Sequence, residues 1–433
     1  KNLFFVFESI CKELTADDNI RFATEYARLT FLLDKQNVHI AMRKRILRFR
    51  ADAINSMRNN AAISAEQYRE DYIALALFIS LLFGEQISES QKRELEVVSG
   101  SWTADEYRHT DRISHLRIVA TSCDYEYITG YKEDAEEYTQ VKVKINVIGH
   151  NSDSAITPNM VWNGCIVNLI DSTVEPNGDL CPRFIIINPD YLMECSSIAD
   201  CVTPCGPNPL EHLFKKLMRA KTSKAMLLGN IANKFHDRLI HARDKSTVDF
   251  KTLINEAFLE SSLSISTCEE LQNKDEYDSW IADAESHYNN IKNVVETIFP
   301  EVGISTENVL LEPTFFCDQL GLSGRLDLLH QAKGNYAVVE MKSGKSKFPE
   351  TQLDLIADNH ITQAFLYQAI VQRVLQIPFN ELKTYIFYTK YPYEKRANLR
   401  YAKCTLKNIS EALNLRNRIV CYEHLLANAK SVD

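Results

Sequence analysis

The spacing of hydrophobic residues in the first quarter of the chain is typical of packed helices. In ADDNIRFATEYARLTFLLDKQ the apolar residues recur at three- and four-residue intervals, and Ser64 stands where a helix N-cap is expected. The longest apolar run, YIALALFISLLFG, is too short to cross a bilayer and predicts a buried helix. We expect residues 1–108 to form an all-helical domain, and the pattern does not choose among scaffolding, protein contact and DNA guidance as its role.

From residue 109 to residue 188 the pattern is that of short β-strands. β-rich runs such as QVKVKINVIGH and PRFIIINPDY are separated by turn sequences such as HNSDS and EPNGD. Strands at this spacing predict a small OB-like β-barrel or a sandwich, and such barrels can bind single strands through aromatic side chains. The candidate stacking residues are Tyr125, Tyr127, Tyr131 and Trp162. Core packing is the favoured role for each of them.

Residues 189–433 combine helical and strand patterns. Residues 223–243 have helical spacing, and residues 244–300 predict a helical insertion with an acidic, solvated surface. Strands are predicted in LSGRLDLLH, NYAVVEMK and ELKTYIFYTKYP, and HITQAFLYQAIV predicts a helix between the last two. We therefore expect a multidomain α+β or α/β protein, whose last domain is a mixed β-sheet flanked by helices.

Composition and charge restrict the class of protein further. A chain of 433 residues exceeds one ordinary domain, and 45% hydrophobic residues indicate a globular protein. The formal net charge of −9 argues against a protein that coats DNA generally, although a local basic groove on an acidic body is compatible with it. The start lacks the features of a signal peptide, and scattered cysteines suit a reducing compartment. We expect a cytoplasmic protein with no membrane association.

Two carboxylates and a lysine fall on two neighbouring predicted strands. A hairpin through KGN sets these strands side by side, so that Asp327 and Glu340 can point into one space. Glu340 and Lys342 are two residues apart in a strand and share a face. Gly324 can bring its backbone close to a ligand or a neighbouring strand. Glu312, on a predicted partner strand, could add a third carboxylate or be structural, and the sequence favours neither role.

This combination of residues predicts metal-assisted phosphodiester hydrolysis. A hard cation such as Mg²⁺ or Mn²⁺ takes oxygen ligands, commonly one or two carboxylates plus substrate phosphate, which Asp327 and Glu340 can supply. Such an ion polarises the phosphate and lowers the pKa of a bound water. Lys342 can position or deprotonate that water, or stabilise the charge of the transition state. Lys345 and Lys347, on the polar tip that follows, are suited to backbone phosphates.

The ordered set GRLD, VVEMKSGK and QAFLY resembles the RecB-like branch of the PD-(D/E)XK nuclease superfamily. Within that branch it is similar to the nuclease half of Okazaki-fragment-type helicase–nucleases and to the RecB-like exonucleases of CRISPR adaptation. The resemblance covers residues 189–403, about half the chain. It implies a metal-dependent nuclease acting on single-stranded or flapped DNA. It also implies that Gln363 and Tyr367, which project together at i and i+4, contact DNA and support Lys342.

One position departs from the pattern of the family. Relatives have G-x-x-x-H in the helix before the core, with the histidine as an additional metal ligand, whereas this chain has Gly229 followed by Asn233. An asparagine can coordinate a metal through its carbonyl oxygen or hydrogen-bond an adjacent water. Asn233 is therefore the expected third ligand. His236 is expected to face elsewhere, and both His236 and His241 are expected to be surface histidines.

Two further features of the family are not expected here. Relatives often bind an iron–sulfur cluster through one cysteine before the nuclease core and three closely spaced cysteines after it. Only Cys404 and Cys421 follow the core here, and the chain has no C-x-x-C, so we expect no cluster. SGKS at residues 343–346 resembles the end of a phosphate-binding loop, but Val339 stands where that loop requires glycine. No ATPase motor is expected within these residues.

The resulting prediction is a metal-dependent DNA nuclease that cuts single-stranded or branched DNA in replication or repair. We expect it to be the nuclease part of a larger helicase–nuclease, with a helicase domain in the same polypeptide beyond residue 433. Two alternatives remain open, namely a stand-alone endonuclease of duplex DNA and a non-catalytic DNA-binding module with a degenerated site. Cleavage polarity, exonuclease against endonuclease action, the preferred metal and the oligomeric state do not follow from the sequence.

Overall fold

The chain divides into two compact units in its structure, a computed structural model. The described residues are 2–18, 22, 24–36, 38, 40–59, 63–84, 112–133, 139–175, 177–218, 222–344, 355–391 and 398–429. The first unit holds residues 1–116, 137–144 and 170–183, and the second holds residues 117–136, 145–169 and 184–433.

The first unit begins with helices. They are α1 (Asn2–Glu13), α2 (Glu25–Lys35), α3 (Ile40–Asn59) and α4 (Ala65–Phe83). Their apolar faces form one core, in which the ring of Phe7 contacts those of Phe49 and Phe78. As predicted, Ser64 caps α4, because its hydroxyl accepts a hydrogen bond from the N–H of Gln67 at 3.0 Å. No helix in the part of the chain that the structure describes combines the length and apolar character needed to cross a lipid bilayer. The predicted boundary at residue 108 lies outside the described residues.

Short strands follow, as the alternating pattern predicted. They are β1 (Arg112–Cys123), β2 (Tyr127–Lys132), β3 (Gln140–Lys144), β4 (Ile166–Val174), β5 (Leu180–Cys181) and β6 (Phe184–Ile187). Within the second unit, β1 pairs antiparallel with β2. Within the first unit, β5 pairs in parallel with β3 and antiparallel with β4. Closure of these strands into an OB-like barrel stays a prediction.

The four candidate aromatic residues differ in their surroundings. The ring of Trp162 stacks on the imidazole of His424, with ring centroids 3.6 Å apart and planes within 6°. Tyr127 and Tyr131 are half-buried. Tyr125 is 75% exposed, so the expected core role is wrong for this residue. It lies in a bend between β1 and β2, where the side chain has no apolar layer to enter.

The remainder of the second unit is mixed α/β, which confirms the coarse fold class predicted from the sequence. Its helices are α5 (Cys195–Ala199), α6 (Leu210–Leu217), α7 (Lys224–His241), α8 (Phe250–Ser266), α9 (Lys274–Asn293), α10 (Phe299–Glu301), α11 (Asp358–Leu375) and α12 (Leu406–Ala427). Its strands are β7 (Met193–Glu194), β8 (Val202–Thr203), β9 (Gly206–Pro207), β10 (Val309–Leu311), β11 (Thr314–Cys317), β12 (Leu322–Arg325), β13 (Leu328–Ala332), β14 (Asn335–Lys342), β15 (Leu382–Tyr388) and β16 (Leu399–Tyr401). The division into three domains stays a prediction.

A five-stranded mixed sheet in the order β10-β13-β14-β15-β16 forms the centre of this part. The predicted hairpin is present, with β13 antiparallel to β14 and Leu328 opposite Val339. β14 and β15 run parallel, with Lys342 paired to Tyr388. Because successive side chains alternate between faces, Val339 and Met341 point to one face of the sheet and Glu340 and Lys342 to the other. α11 covers the second face, where Ala364 of α11 packs with Ile386 and Tyr388.

The segment predicted as an insertion is helical but is part of the core. α8 and α9 lie within residues 244–300, and their apolar side chains pack with α7 and with the first face of the sheet. Trp280, inside the acidic run that was expected to be a solvated face, is buried, and its indole N–H donates to the carbonyl of Lys224 at 2.9 Å. The expectation of a solvated face is therefore wrong for the side of α9 that carries Trp280.

A buried arginine on α12 joins three segments of the second unit. The guanidinium of Arg416 donates to the main-chain carbonyls of Ile187, Gly321, Asn188 and Tyr191. Burial lowers the pKa of Arg416 to about 9. Gly321 has φ of +60°, and a Cβ added there would lie 2.4 Å from Nη2 of Arg416, so only glycine fits beside the guanidinium. Arg416 thus fixes α12 to the end of β6 and to the turn before β12.

Candidate active site

The structure brings five residues singled out in the sequence to one place, above the end of β14. Asp327 follows β12, whereas Glu340 and Lys342 lie on the face of β14 that α11 covers. Gln363 and Tyr367, one turn apart on α11, are buried against that face. Two strands and one helix therefore position the group, and each contributes its residues through local periodicity.

A continuous chain of hydrogen bonds joins four of these side chains. Nζ of Lys342 donates to Oε1 of Glu340 and to Oε1 of Gln363, each at 2.8 Å. Nε2 of Gln363 donates to the same Oε1 of Glu340 and to the hydroxyl of Tyr367, again at 2.8 Å. The Tyr367 hydroxyl donates in turn to the carbonyl of Arg325 at 2.9 Å. The ammonium group of Lys342 is thereby held in one orientation by a carboxylate and an amide.

Close approach of α11 to β12 depends on Gly324. A Cβ at this position would lie 2.7 Å from Cε1 of Tyr367, which is nearer than a non-bonded carbon can come. The sequence predicted that Gly324 allows its backbone to approach a ligand or a neighbour, and the neighbour is the ring of Tyr367. Without that space, Tyr367 could not reach the carbonyl of Arg325.

The two carboxylates lie close to each other, with Glu340 buried and Asp327 half-buried. Burial, and next the nearby charge of Glu340, raise the pKa of Asp327 to about 7. The N–H of Met341, which donates to Oδ2 of Asp327 at 2.6 Å, opposes this shift, as do the charges of Lys342 and His236. Glu340 is 5% exposed, and its Oε2 is buried with no hydrogen-bond partner in the described part of the chain.

These donors fit a hard divalent cation. An unpaired buried carboxylate oxygen is costly, and a cation beside Oε2 of Glu340 and the carboxylate of Asp327 would remove that cost. Among the described residues, no three His, Cys, Asp or Glu side chains form a cluster ready to hold a metal. A hard ion such as Mg²⁺ commonly takes only one or two protein carboxylates and fills its other positions with water and substrate phosphate.

Helix α7 presents His236 rather than a surface face toward this site. Three residues along a helix rotate by 300°, which is only 60° in the other direction, so Asn233 and His236 share a face. His236 is 2% exposed, its Nε2 has no hydrogen-bond partner among the described residues, and its charge acts on Asp327. The expectation that it is a surface histidine is wrong, whereas His241 is exposed as expected. The three-residue spacing from Asn233 could therefore have predicted that His236 is on the face of α7 that carries Asn233.

Of the other residues predicted for the site, the structure describes Asn233 and Glu312. Asn233 is half-buried. Among the described residues, its side chain makes no hydrogen bond to the carboxylate of Asp327 or of Glu340. The N–H of Glu312 donates to the carbonyl of Asp327 at 3.1 Å, and its φ of +48° is uncommon for a residue other than glycine. The Glu312 carboxylate lies 3.7 Å from Nη1 of the exposed Arg325. Lys345 and Lys347 lie outside the described residues.

Because the pKa of Asp327 is raised to about 7, cation binding should strengthen with pH up to that value. Below it, the ion must displace a proton, so its apparent affinity is expected to fall about tenfold per pH unit. In the metal-free protein, by contrast, the free energy of unfolding should decrease as the pH rises. The raised pKa means that the folded state binds the proton of Asp327 more tightly than the unfolded state does. That contribution to stability is complete below the unfolded pKa of about 4 and is lost as the pH rises through 7.

Thermal unfolding between about pH 5 and pH 8, in EDTA or in Mn²⁺, measures both effects. Stabilisation by Mn²⁺ should grow up to pH 7 in the parent protein and be lost in Asp327→Asn. Equal stabilisation by Mn²⁺ across this range in the parent protein would contradict the role of Asp327.

Comparison with known proteins gives partial matches to one family and to a solved structure. Residues 133–331 match the family described as DNA replication factor Dna2, a segment that includes Asn233 and Asp327 and ends before Glu340. A search of curated proteins finds no match. The chain also aligns with the crystal structure of a candidate exonuclease from Eubacterium rectale, with 14% identity over 55% of this chain and 83% of that chain. The TM-score of 0.36 is too low for that likeness to carry an argument. The finer assignment to the RecB-like branch stays a prediction.

Proposed function

We propose that this chain is a divalent-metal-dependent DNA nuclease of the PD-(D/E)XK type, acting on single-stranded or flapped DNA. The observation that carries the proposal is the placement of Lys342, whose ammonium group bridges Glu340 and Gln363 near the half-buried carboxylate of Asp327. The match of residues 133–331 to a DNA replication factor family supports DNA as the substrate. With the sequence resemblance, it also supports a role as the nuclease part of a larger helicase–nuclease.

In this proposal, Asp327 and Glu340 hold the cation through their carboxylate oxygens. When bound, a divalent ion supplies a Lewis acid that polarises the phosphate and makes an attacking water more acidic. Lys342, fixed by two hydrogen bonds, orients the water or stabilises the negative charge that develops on the phosphate oxygens. Gln363 keeps Lys342 and Glu340 at a constant separation, and Tyr367 anchors Gln363 to the carbonyl of Arg325.

Cleavage of end-labelled oligonucleotides in Mg²⁺ or Mn²⁺ tests the proposal. We expect cutting of single strands and of the single-stranded arm of a flap, little cutting of blunt duplex, and none in EDTA. Preferential cutting of duplex would favour a stand-alone endonuclease. DNA binding without cleavage of any of these substrates, in either metal, would favour a non-catalytic binding module. A mobility shift in EDTA, run on the same substrates, separates loss of binding from loss of chemistry.

A further inference from the structure

Two pairs of strands in the second unit bend together at the level of Asp327. β11 follows β10 along the chain, as β13 follows β12, and both pairings are antiparallel. The β10–β13 pairing ends with Leu311 opposite Leu328. The β11–β12 pairing begins with Thr314 opposite Arg325, so each segment has two residues at the bend and neither has the extra residue of a β-bulge.

Main-chain hydrogen bonds continue across this bend. The N–H of Glu312 donates to the carbonyl of Asp327 at 3.1 Å, and the N–H of Leu326 donates to the carbonyl of Pro313 at the same distance. Glu312 has φ of +48°, a left-handed conformation that residues other than glycine seldom adopt. A residue before proline is ordinarily extended, which makes this conformation still less expected before Pro313. The bend therefore comes from backbone conformation and not from lost pairing.

The bend separates β12 from β14 at the candidate site. β13 pairs with β14 as far as Leu328 opposite Val339, and β12 belongs to a separate three-stranded sheet. Continued at the same register, the pairing would place Leu326 opposite Met341. The N–H of Met341 donates at 2.6 Å to Oδ2 of Asp327. A carboxylate thus meets β14 where the neighbouring main chain has turned away.

The carboxylate of Glu312 has a different place from its backbone. It is exposed, and its Oε2 lies 3.7 Å from Nη1 of Arg325. Exposed ion pairs of this kind contribute little to stability. The described residues contain no cluster of three acidic, histidine or cysteine side chains that could hold a metal. The contact that links Glu312 to Asp327 is therefore the main-chain hydrogen bond.

We propose that Glu312 is a positioning residue, whose left-handed backbone conformation bends both strands and thereby directs the carboxylate of Asp327 toward the divalent cation. This inference rests on the proposed nuclease function and deepens it, because it assigns the placement of one metal ligand to the backbone of another residue. Strained backbone conformations persist where the surrounding structure maintains them, and they cluster at functional sites. Pairing on both sides of the bend maintains the strain at Glu312.

Glycine and alanine at position 312 test the backbone conformation in the metal-free protein. Both substitutions remove the carboxylate, but only glycine adopts positive φ without a steric penalty. We expect Glu312→Gly to unfold at a higher urea concentration than Glu312→Ala, which reverses the order at an ordinary strand position. A lower midpoint for Glu312→Gly than for Glu312→Ala would contradict the left-handed conformation.

Mn²⁺ binding in the absence of DNA tests the positioning role. Valine is strongly disfavoured at positive φ, so Glu312→Val should remove the bend. We expect this variant to bind Mn²⁺ about tenfold more weakly, as is typical when a residue that orients a metal ligand is replaced. Glu312→Gln keeps the side-chain shape without the charge, and Glu312→Gly keeps the bend, so both should bind Mn²⁺ as the parent does. Electron paramagnetic resonance of free Mn²⁺ measures the dissociation constants.

Gln376→Val is the matched control for backbone strain. Gln376 also has a left-handed backbone, with φ of +55°, but it lies at the C-terminal end of α11. Its replacement by valine should lower the unfolding midpoint and leave Mn²⁺ binding unchanged. If Glu312→Val does not fold, the order of the glycine and alanine variants and Mn²⁺ binding by Glu312→Gln still decide between backbone and carboxylate.

The outcomes distinguish this inference from the proposed function. Parental Mn²⁺ affinity in a folded Glu312→Val, or a loss of affinity shared by Glu312→Gln and Glu312→Gly, would overturn the role of the Glu312 backbone alone. A parent chain that binds Mn²⁺ but cleaves no DNA would overturn the nuclease function alone. A parent chain that binds no Mn²⁺ would overturn both.

Discussion

Replacing Lys342 with alanine is expected to lower the rate of DNA cleavage by about 10³-fold while leaving DNA binding in EDTA within a few-fold of the parent. Lys342 places a positive charge at the candidate site, because its ammonium group donates hydrogen bonds to Glu340 and Gln363 at 2.8 Å. Such a group acts mainly on the charge that develops in the transition state. Glu340→Gln should cause a loss of similar size, because it removes a carboxylate needed for the cation.

Single-turnover cleavage of a labelled single strand in saturating Mn²⁺ measures this effect. Lys333→Ala is a matched control, since Lys333 is exposed in the turn of the same β13–β14 hairpin and should leave the rate unchanged. Cleavage by Lys342→Ala or Glu340→Gln at more than a tenth of the parental rate would contradict the assignment. Unfolding midpoints of the variants close to that of the parent would show that their slower cleavage is not caused by unfolding.

Replacing Arg416 with methionine is expected to destabilise the protein by about 3–5 kcal/mol. Methionine keeps much of the side-chain volume but supplies no donors, so four main-chain carbonyls lose the hydrogen bond from Arg416. The carbonyls of Gly321 and Asn188 each keep a hydrogen bond from a main-chain N–H, whereas those of Ile187 and Tyr191 lose the donor that the guanidinium supplies. Each buried carbonyl left without a partner costs about 1–3 kcal/mol, and relaxation recovers part of that cost.

Urea unfolding, followed by tryptophan fluorescence and circular dichroism, measures the loss. Lys407→Ala, an exposed substitution on the same helix α12, should change stability by less than about 0.5 kcal/mol and serves as the control. Arg416→Met with the stability of the control would show that the four carbonyls find other partners. In that case Arg416 would not be what fixes α12 to β6.

The local geometry of the candidate site could be predicted because it depends on short-range periodicity. Alternation along β14 places Glu340 and Lys342 on one face, and the turn at KGN brings Asp327 to the same end. Helical spacing likewise places Gln363 below Tyr367 on α11. These relations involve a few residues at a time, so the sequence contains them directly.

Contacts between distant segments could not be predicted in the same way. His360 meets Tyr388 only because α11 packs on β15, a contact that depends on the whole sheet. Arg416, in an otherwise ordinary helical pattern, is buried because main-chain carbonyls from two other segments converge on it. Burial of Trp280 within an acidic run similarly depends on where α7 packs. Amphipathic patterns show which face is apolar, but not what covers it.

The carboxylate of Glu340 has a further consequence for the choice of ion. Within the part of the chain that the structure describes, Lys342 and Gln363 both donate to Oε1, and Oε2 has no partner. A divalent ion held here would find only Oε2 of this carboxylate without a hydrogen bond from the described residues. Ca²⁺ commonly takes bidentate carboxylates in its larger coordination shell, whereas Mg²⁺ is satisfied by single oxygens in an octahedron. We therefore expect the two hydrogen bonds that orient the carboxylate to favour small ions such as Mg²⁺ over Ca²⁺.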